Sequence, residues 1–305
     1  QFVLLLVGLA VLFLIPDLDG LSPQIRIGLW QQGLAFGMAA IGLNLLLRHA
    51  DLVSFGHAAF FGTGAYTTAL LVSKLGIQSF LVILAAAIAF GIIISAAIGY
   101  FTLEHKGLYF ALITLAFGQV LFSLAKGITQ LGGTDGLNVL TGAGGSVAEQ
   151  RPQLLGFPLQ TGGTAEIIFY WISAVFVVIG LFVMFRLVKS PFGRALDAIG
   201  QERTRARFLG LPVRRYVWAA FIISGIYGAI GGVLFAVSQG SVRPVQTLEV
   251  FVSGDILYMA ILGGFETLTG PLIGGIILEN LRTLADQIAL EGLKGNMLPA
   301  GNLVT

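Results

Sequence analysis

Cysteine is absent from the 305-residue chain, which excludes disulfides and thiolate metal sites and leaves the redox compartment open. Charge is scarce too: Asp, Glu, Lys and Arg make up 10%, against roughly one quarter in soluble domains, so an ordinary soluble fold is excluded. No glycine-rich segment ends in Gly-Lys-Ser/Thr; without that phosphate loop the chain does not hydrolyse ATP by itself. Histidine occurs three times and never after His105, which leaves Ser224-Gly225 without a downstream base for serine-type intramembrane proteolysis. Gly254-Asp255 matches part of the Gly-x-Gly-Asp pattern of intramembrane aspartyl proteases. Position 252, however, is Val, and no second intramembrane Asp is present to share a proton. A net charge of +2 carries no argument for nucleic acid. The chain is read as a non-enzyme without cofactor or metal.

Apolar residues are plentiful, at 56% with a mean hydropathy of +0.91. They fall in runs of about 20 residues, the length a helix needs to cross roughly 30 Å of hydrocarbon, without the alternation of barrel strands. The fold class is therefore an all-α polytopic membrane protein held in a lipid bilayer. The runs cover approximately 1–15, 26–47, 54–73, 77–101, 107–128, 165–185, 215–239, 250–264 and 269–289, which predicts eight or nine transmembrane helices in one domain spanning 1–305. The chain opens at Gln1 within an apolar run, without Met or a basic n-region. That reads as a first span trimmed at its start, not a signal peptide.

Between Arg186 and Arg215 stand eight of the seventeen Lys and Arg residues. Cations beside spans are retained in the cytoplasm, so the 186–215 loop is placed inside. Alternation then puts Arg48, His49, His105, Lys106 and the amino end inside, and the 129–164 loop and residues after Asp286 outside. The outer loop holds nine glycines and one cation, Arg151. The sequence GGFETLTGPLIGG breaks the last apolar region with Gly and Pro271; a hairpin turn on the inside is favoured over a re-entrant element.

The basic loop carries more than charge. Ser190 is a plausible N-cap with Pro191 at the first helical position, and Phe192, Ala195, Leu196 and Ile199 recur at helical spacing. Gly200 is a stop signal. A second short helix is expected with Glu202 near its positive end, Arg203, Arg205 and Arg207 along it, and Gly210 and Pro212 as its stop. Anionic lipid or topology alone accounts for the arginines, at roughly 1 kcal/mol each near a charged leaflet, but not for the caps or the apolar stripe. Two amphipathic helices offering an apolar ridge to a protein partner account for all three.

Glycine, with 42 copies, is concentrated in the spans. The register Ser224, Gly228, Gly232 and Ala236 puts a small residue at every fourth position of one face, as close helix packing in lipid requires; Gly33 with Gly37 and Gly270 with Gly274 repeat it. Intramembrane ionisable groups are functional candidates by default. Asp255 is a candidate for the pathway or the interface, and Glu279 is expected to pair with an intraprotein donor. His57 is read as a hydrogen-bonded interfacial residue. Tyr66, Tyr109, Thr114 and Gln119 are polar groups on spans from which pathway-lining positions would be drawn.

The segment GRALDAIGQERTRARFLGLPVRRYVWAAFIISGIYGAIGGVLF resembles the cytoplasmic segment and following span of LivM-type permeases, the membrane subunits of branched-chain amino acid ABC importers. The resemblance continues through GLNLLLRHADLVSFGHAAFFGTGAYTTALL (42–71), GLYFALITLAFGQVLF (107–122), GGTDGL (132–137) and AILGGFETLTGPLIGG (260–275), in the family's order. It implies an ABC importer permease fold in a bacterial or archaeal cytoplasmic membrane. The implied partners are a homologous second permease, two cytoplasmic ATP-binding subunits and an extracytoplasmic substrate-binding protein. It also implies that the basic loop couples to the ATPase, with Arg194, Ala195, Ala198, Glu202, Ala206, Leu209 and Gly210 at the contact. The substrate class implied is branched-chain or related amino acids, with urea, short amides and small aromatic acids as alternatives within the family. A secondary transporter or channel working without an ATPase is the rival from another class. Gly200 and Gln201 stand where the family more often has charged residues. The polar end EGLKGNMLPAGNLVT stands where the family usually has one more span, and reads as a trimmed carboxyl end.

Overall fold

At membrane depth every backbone N–H and C=O must be satisfied within the protein, and this chain does so with helices. The computed structural model describes residues 23–105, 107–139, 152–154, 157–158 and 164–296. The apolar segment 1–15, Lys106, Arg151 and most of the expected outer loop lie outside the described residues. The helices are α1 (Pro23–Asn44, continued as a π-helical turn over Leu45–His49), α2 (His57–Leu75), α3 (Phe80–Thr102), α4 (Leu108–Gly127), α5 (Thr164–Lys189), α6 (Pro191–Gln201), α7 (Arg203–Phe208), α8 (Val213–Gln239), α9 (Pro244–Thr247), α10 (Val250–Leu262) and α11 (Gly270–Asn296). Among the described residues, strands are confined to β1 (Leu137–Asn138), β2 (Gln153–Leu154), β3 (Phe157–Pro158) and β4 (Ser241–Val242).

Among the described residues, five stretches are long and apolar enough to cross a membrane: Phe80–Thr102, Leu108–Gly127, Ile167–Lys189, Val213–Gln239 and Pro244–Leu262. Helices α3, α4 and α5 turn large side chains outward, among them Phe90, Ile93, Phe101, Leu112, Val120 and Phe182, as an outer wall in lipid does. Helix α1 is less apolar because it sits inside the bundle: from Leu34 to Leu46 nearly every residue is buried against α8, α11, α5 or α2. A helix enclosed by others needs small, shape-matched residues more than hydropathy.

Helix α8 is the hub, and glycine lets its neighbours reach it. A Cβ on Gly225 would come within 2.4 Å of Ser95 on α3, one on Gly228 within 2.8 Å of Phe60 on α2, and one on Gly231 within 2.5 Å of the Ala35 carbonyl on α1. Tyr227 of α8 donates to the Gly180 carbonyl of α5 at 2.7 Å, and Trp218 donates to the Ala96 carbonyl of α3 at 3.1 Å. The same device joins α11 to α1, where Gly33 and Gly37 meet Ile276 and Leu272.

The two ends of the bundle are built differently. At one end β1 pairs with β4 in the register Leu137↔Val242, and the Gln153 N–H donates to the Gln78 carbonyl. The connections between α2 and α3, α4 and α5, and α8 and α9 are thereby tied together. At the opposite end lie α6, α7, the π-helical turn and the Arg214–Glu104 ion pair at 3.1 Å. GGFETLTGPLIGG forms a helical hairpin: α10 ends at Leu262, Gly264 adopts φ 89°, and α11 returns beside α10 and α1. Asn44 Nδ2 donates to the Thr267 carbonyl at 3.1 Å, which holds this turn near the basic end.

Candidate functional sites: the basic loop and a polar cavity

The loop folds as its caps dictate, with one difference in length and one in orientation. Ser190 Oγ accepts from the Gly193 N–H and Pro191 opens α6. Gly200 does not stop the helix, which runs on to Gln201; Glu202 then ends α6 and caps α7, accepting from the Thr204 N–H at 3.1 Å. Gly210 at φ 81° closes α7. The apolar stripe is not offered outward. Leu196 and Ile199 are fully buried, and Phe192 stacks on Tyr216 of α8 with ring centres 5.5 Å apart. The stripe therefore seats the loop on the bundle, because an apolar face finds its cheapest burial in the helices beside it.

Three contacts pin the loop to the end of α1. Asp197 of α6 bonds His49 Nδ1 in the π-helical turn. Arg203 of α7 donates to the Ala50 carbonyl at 3.1 Å. Gly200 packs so closely that a Cβ would stand 2.6 Å from the His49 carbonyl oxygen. Desolvation lowers the Arg203 pKa from its ordinary value, nearby Asp51 opposes this, and Arg207 adds to the lowering. Asp51 itself has φ 51°, a conformation rare for a residue with a side chain, as the chain turns away from the π-helical turn. Such single π-helical turns recur at functional sites.

This packing gives Gly200 a structural reason: it is a contact with α1, and a Cβ there would crowd the His49 carbonyl. Gly200→Leu is expected to shift α6 off His49 and to destabilise the solubilised protein by about 1–3 kcal/mol, as overpacking does. A thermal midpoint equal to the parent's would contradict this.

What faces away from the bundle is Arg194, Ala198, Gln201, Glu202, Thr204, Arg205, Arg207, Phe208, Leu209 and Gly210, all exposed, with Ala195 partly so. Phe208 is 88% exposed and Leu209 73%. Of the positions expected at the contact, Ala206 is corrected: at 2% exposure it faces inward, and its carbonyl accepts from the Leu211 N–H. A bulky residue at position 206 would unseat α7 and not press on a partner. Phe208, not among those positions, shares the outward face with Leu209, an apolar pair directly before Gly210.

Within the bundle, Asp255 of α10 and Arg282 of α11 form a two-contact ion pair, Arg282 Nη2 lying 3.0 and 2.9 Å from the two carboxylate oxygens. Arg282 Nη1 stands 3.7 Å from Glu279 Oε1, an ion pair longer than a hydrogen bond. The three groups line a cavity of ≈ 360 Å³ between α1, α8, α9, α10 and α11 that also exposes Gln32, Gln239, Gln246 and Phe251. Its floor is aromatic: Phe36 stacks on Phe61 at 4.7 Å and meets Phe235 edge-on at 5.5 Å.

The other pathway candidates are not brought to this cavity. Tyr66 borders a separate apolar cavity of ≈ 530 Å³ between α2, α3 and α4 with Thr63 and Thr67. Gln119 lies on a shallow groove along α4 with Ser123. Thr114 is buried and donates to the Ala111 carbonyl at 2.9 Å, while its own carbonyl is where a Cβ on Gly56 would clash. Tyr109 is 73% exposed on the outer surface of α4. Helical spacing tells which face a residue shares, not which neighbour that face meets.

His57 is hydrogen-bonded as expected but is fully buried, not interfacial. Ser224 Oγ gives its single proton to the Gly42 carbonyl at 2.6 Å. The 2.9 Å contact to His57 Nε2 must then be a donation from the ring. This chain of bonds joins α2, α8 and α1 beside the close approaches of Gly228 and Gly232 to Phe60 and Phe61.

Glycine-packed helices around a hub, an outer wall of large apolar side chains and a folded basic loop at one end define a multi-pass protein of the cytoplasmic membrane. More specifically, the chain belongs to the family described as branched-chain amino acid transport system / permease component, which matches residues 26–298. It is 30% identical over 267 residues to the high-affinity branched-chain amino acid transport system permease protein LivM of Escherichia coli (strain K12), covering 80% of this chain and 60% of that one. The chain thus spans about 60% of the length of the LivM relatives it matches. It is 24% identical to BraD of Pseudomonas aeruginosa over 260 residues and 24% identical to LivH of Escherichia coli (strain K12) over 257 residues, each covering 81% of this chain and 80% of the relative. No solved structure matches the chain.

Proposed function

We propose that the chain is a pore-forming subunit of an ATP-driven, binding-protein-dependent importer of branched-chain or related amino acids. Seven helices of 19 residues or more, the stretch Pro244–Leu262 and the apolar segment 1–15 are read as eight or nine spans, and the end bearing α6 and α7 faces the cytoplasm. The chain resembles both LivM and LivH, two permeases whose names place them in branched-chain amino acid transport. That supports pairing with a homologous second permease. ATP is hydrolysed by two separate cytoplasmic subunits, and an extracytoplasmic binding protein delivers the substrate.

The observation that carries this reading is the two-sided construction of the basic loop. Its inner side is seated on α8 and pinned to α1, while its outer side leaves Phe208 and Leu209 uncovered among Arg194, Arg205 and Arg207. Exposed apolar residues beside charge suit insertion into a groove of the ATPase subunit. Closure of the ATPase pair on ATP would push α6 and α7, and the contacts to His49 and Ala50 would hand that motion to α1. Such a push shifts access only if the loop is held differently in the two states.

One double variant tests the docking assignment. Phe208→Ser with Leu209→Ser removes exposed apolar area without touching the buried seat, and is expected to weaken co-purification of the ATPase about tenfold or more, as loss of a central apolar anchor does. The helical fold and pairing of the permeases should persist. Undiminished ATPase recovery together with normal uptake would overturn the assignment.

A further inference from the structure

We propose that the apolar cavity between α2, α3 and α4 holds one acyl chain of an anionic phospholipid, whose headgroup lies by Lys74 and Lys126 at the end of the bundle opposite the basic loop. The cavity measures ≈ 530 Å³, within the roughly 300–1,000 Å³ of small-molecule sites. It follows one stripe of α2 through Gly62, Tyr66, Leu70, Leu71 and Leu75, the three-and-four spacing of a single helix face. At 1.5 Å per residue that stripe is about 20 Å long. One leaflet contributes roughly 15 Å to a hydrocarbon core of about 30 Å, so the length suits a chain from a single leaflet.

The gap opens toward one end of α4. At the end bearing the basic loop α4 presses on the start of α2, where a Cβ on Gly56 would stand 2.3 Å from the Thr114 carbonyl oxygen. Toward the other end Leu121, Leu124 and Ile128 border the cavity instead. Its threonines are spent within their own helix: Thr63 donates to the Ala59 carbonyl at 2.6 Å and Thr67 to the Thr63 carbonyl at 2.7 Å. Phe90 of α3 and Leu124 of α4 line the cavity and are also half exposed on the outer wall, so it opens toward the bilayer. Left empty, its walls would forfeit dispersion contacts along their length; an acyl chain restores them.

Charge at the rim selects the head. Lys74 directly precedes Leu75, and Lys126 stands between Ala125 and Ile128, all three of which line the cavity. Among the described residues neither lysine has an ion-pair partner, although Asp135 and Glu249 lie at the same end; Lys126 rests over the Phe122 ring at 5.0 Å. With the basic loop in the cytoplasm, both lysines are on the side that retention of cations depletes, so topology does not account for them. A lipid phosphate at this depth is attracted by both. An anionic head keeps that attraction whole, whereas a zwitterionic head brings an ammonium group that opposes it. The site stands whichever leaflet this end faces, and so does not depend on the importer reading.

A simpler role for each lysine is to complement the C-terminal dipole of its helix, in whose last turn it stands; that role is blind to lipid, and the experiment separates the two. The full chain, purified in detergent with the subunits that accompany it, is photolysed with phosphatidylglycerol carrying a diazirine midway along one chain. Adducts are mapped by peptide mass spectrometry. They are expected on the cavity-lining residues within 62–75 and 121–131, and unlabelled phosphatidylglycerol should displace them at a concentration about tenfold below that of phosphatidylcholine, the preference two cations confer. Leu124→Trp, at an exposed position on the rim, should fill the cavity and cut these adducts several-fold. Lys74→Ser with Lys126→Ser should abolish the headgroup preference while the protein still elutes as a single folded species. Equal competition by the two lipids in the parent, or adducts spread evenly over the outer surfaces of α3 and α4, overturns the site. Adducts absent from the cavity overturn it as well, and would mean that another subunit covers this face.

Discussion

Gly232→Leu is expected to abolish recovery of the folded subunit. A Cβ at this position would lie 1.9 Å from the Phe61 carbonyl oxygen and 2.8 Å from the Ala65 nitrogen, both backbone atoms of α2. No rotamer change relieves such a contact, so α2 and α8 must separate. The separation would also break the close approach of Gly64 to the Ala229 carbonyl and the His57–Ser224 bond. Overpacking of this kind costs about 1–3 kcal/mol and occasionally more; three coupled contacts on one interface place this variant at or above the upper end. The matched control is Gly254→Ala, whose Cβ meets nothing nearer than Tyr258 at 3.8 Å and which should hold or slightly raise stability, by about 0.5–1 kcal/mol. Fluorescence-detected size-exclusion chromatography after a temperature ramp distinguishes them. Equal midpoints would mean that α2 and α8 do not pack as described.

The second large effect belongs to the contacts between the loop and α1. With Asp197→Ala and Arg203→Ala together, the loop loses its bond to His49 and its bond to the Ala50 carbonyl, while the buried Leu196 and Ile199 still hold it on the bundle. The expected result is uncoupling: ATP hydrolysis continues, but uptake falls about 5- to 150-fold, the range set by a coupling free energy of 1–3 kcal/mol. Reconstituted vesicles report both rates in one preparation. Parallel loss of hydrolysis and uptake would instead point to a collapsed ATPase seat, and unchanged uptake would remove α1 from the coupling route.

Some of this was legible before any coordinates. Ser190, Pro191, Glu202 and Gly210 act through neighbours within four residues in the chain, so the two helices of the basic loop could be read from sequence. The spacing of Ser224, Gly228 and Gly232 identified a packing face for the same reason. The direction in which the loop's apolar stripe points was not legible: Phe192, Leu196 and Ile199 would look identical on a helix facing a partner or facing its own bundle. On those grounds Ala206 was expected to face outward although it is buried, and the outward Phe208 was not singled out. Tyr109, Thr114 and Gln119 share one helix but three different surroundings, and no local pattern separates them.

Asp255 illustrates the division most clearly. Sequence marked it as costly within a membrane, and it marked Glu279 only as needing an intraprotein donor. The pairing of Asp255 with Arg282 depends on α10 and α11 lying side by side, which the turn over residues 263–269 brings about.

By itself, then, the sequence determined the helical membrane class, the basic and opposite ends, the caps of the loop and the small-residue face of α8. These are properties of composition and of residues a few positions apart. Tertiary structure alone decided that α1 receives the loop, that Gly200 is a contact with His49, and that Asp255, Glu279 and Arg282 share one cavity. Those facts rest on distances between segments far apart in the chain, which only the packing of one helix surface on another sets.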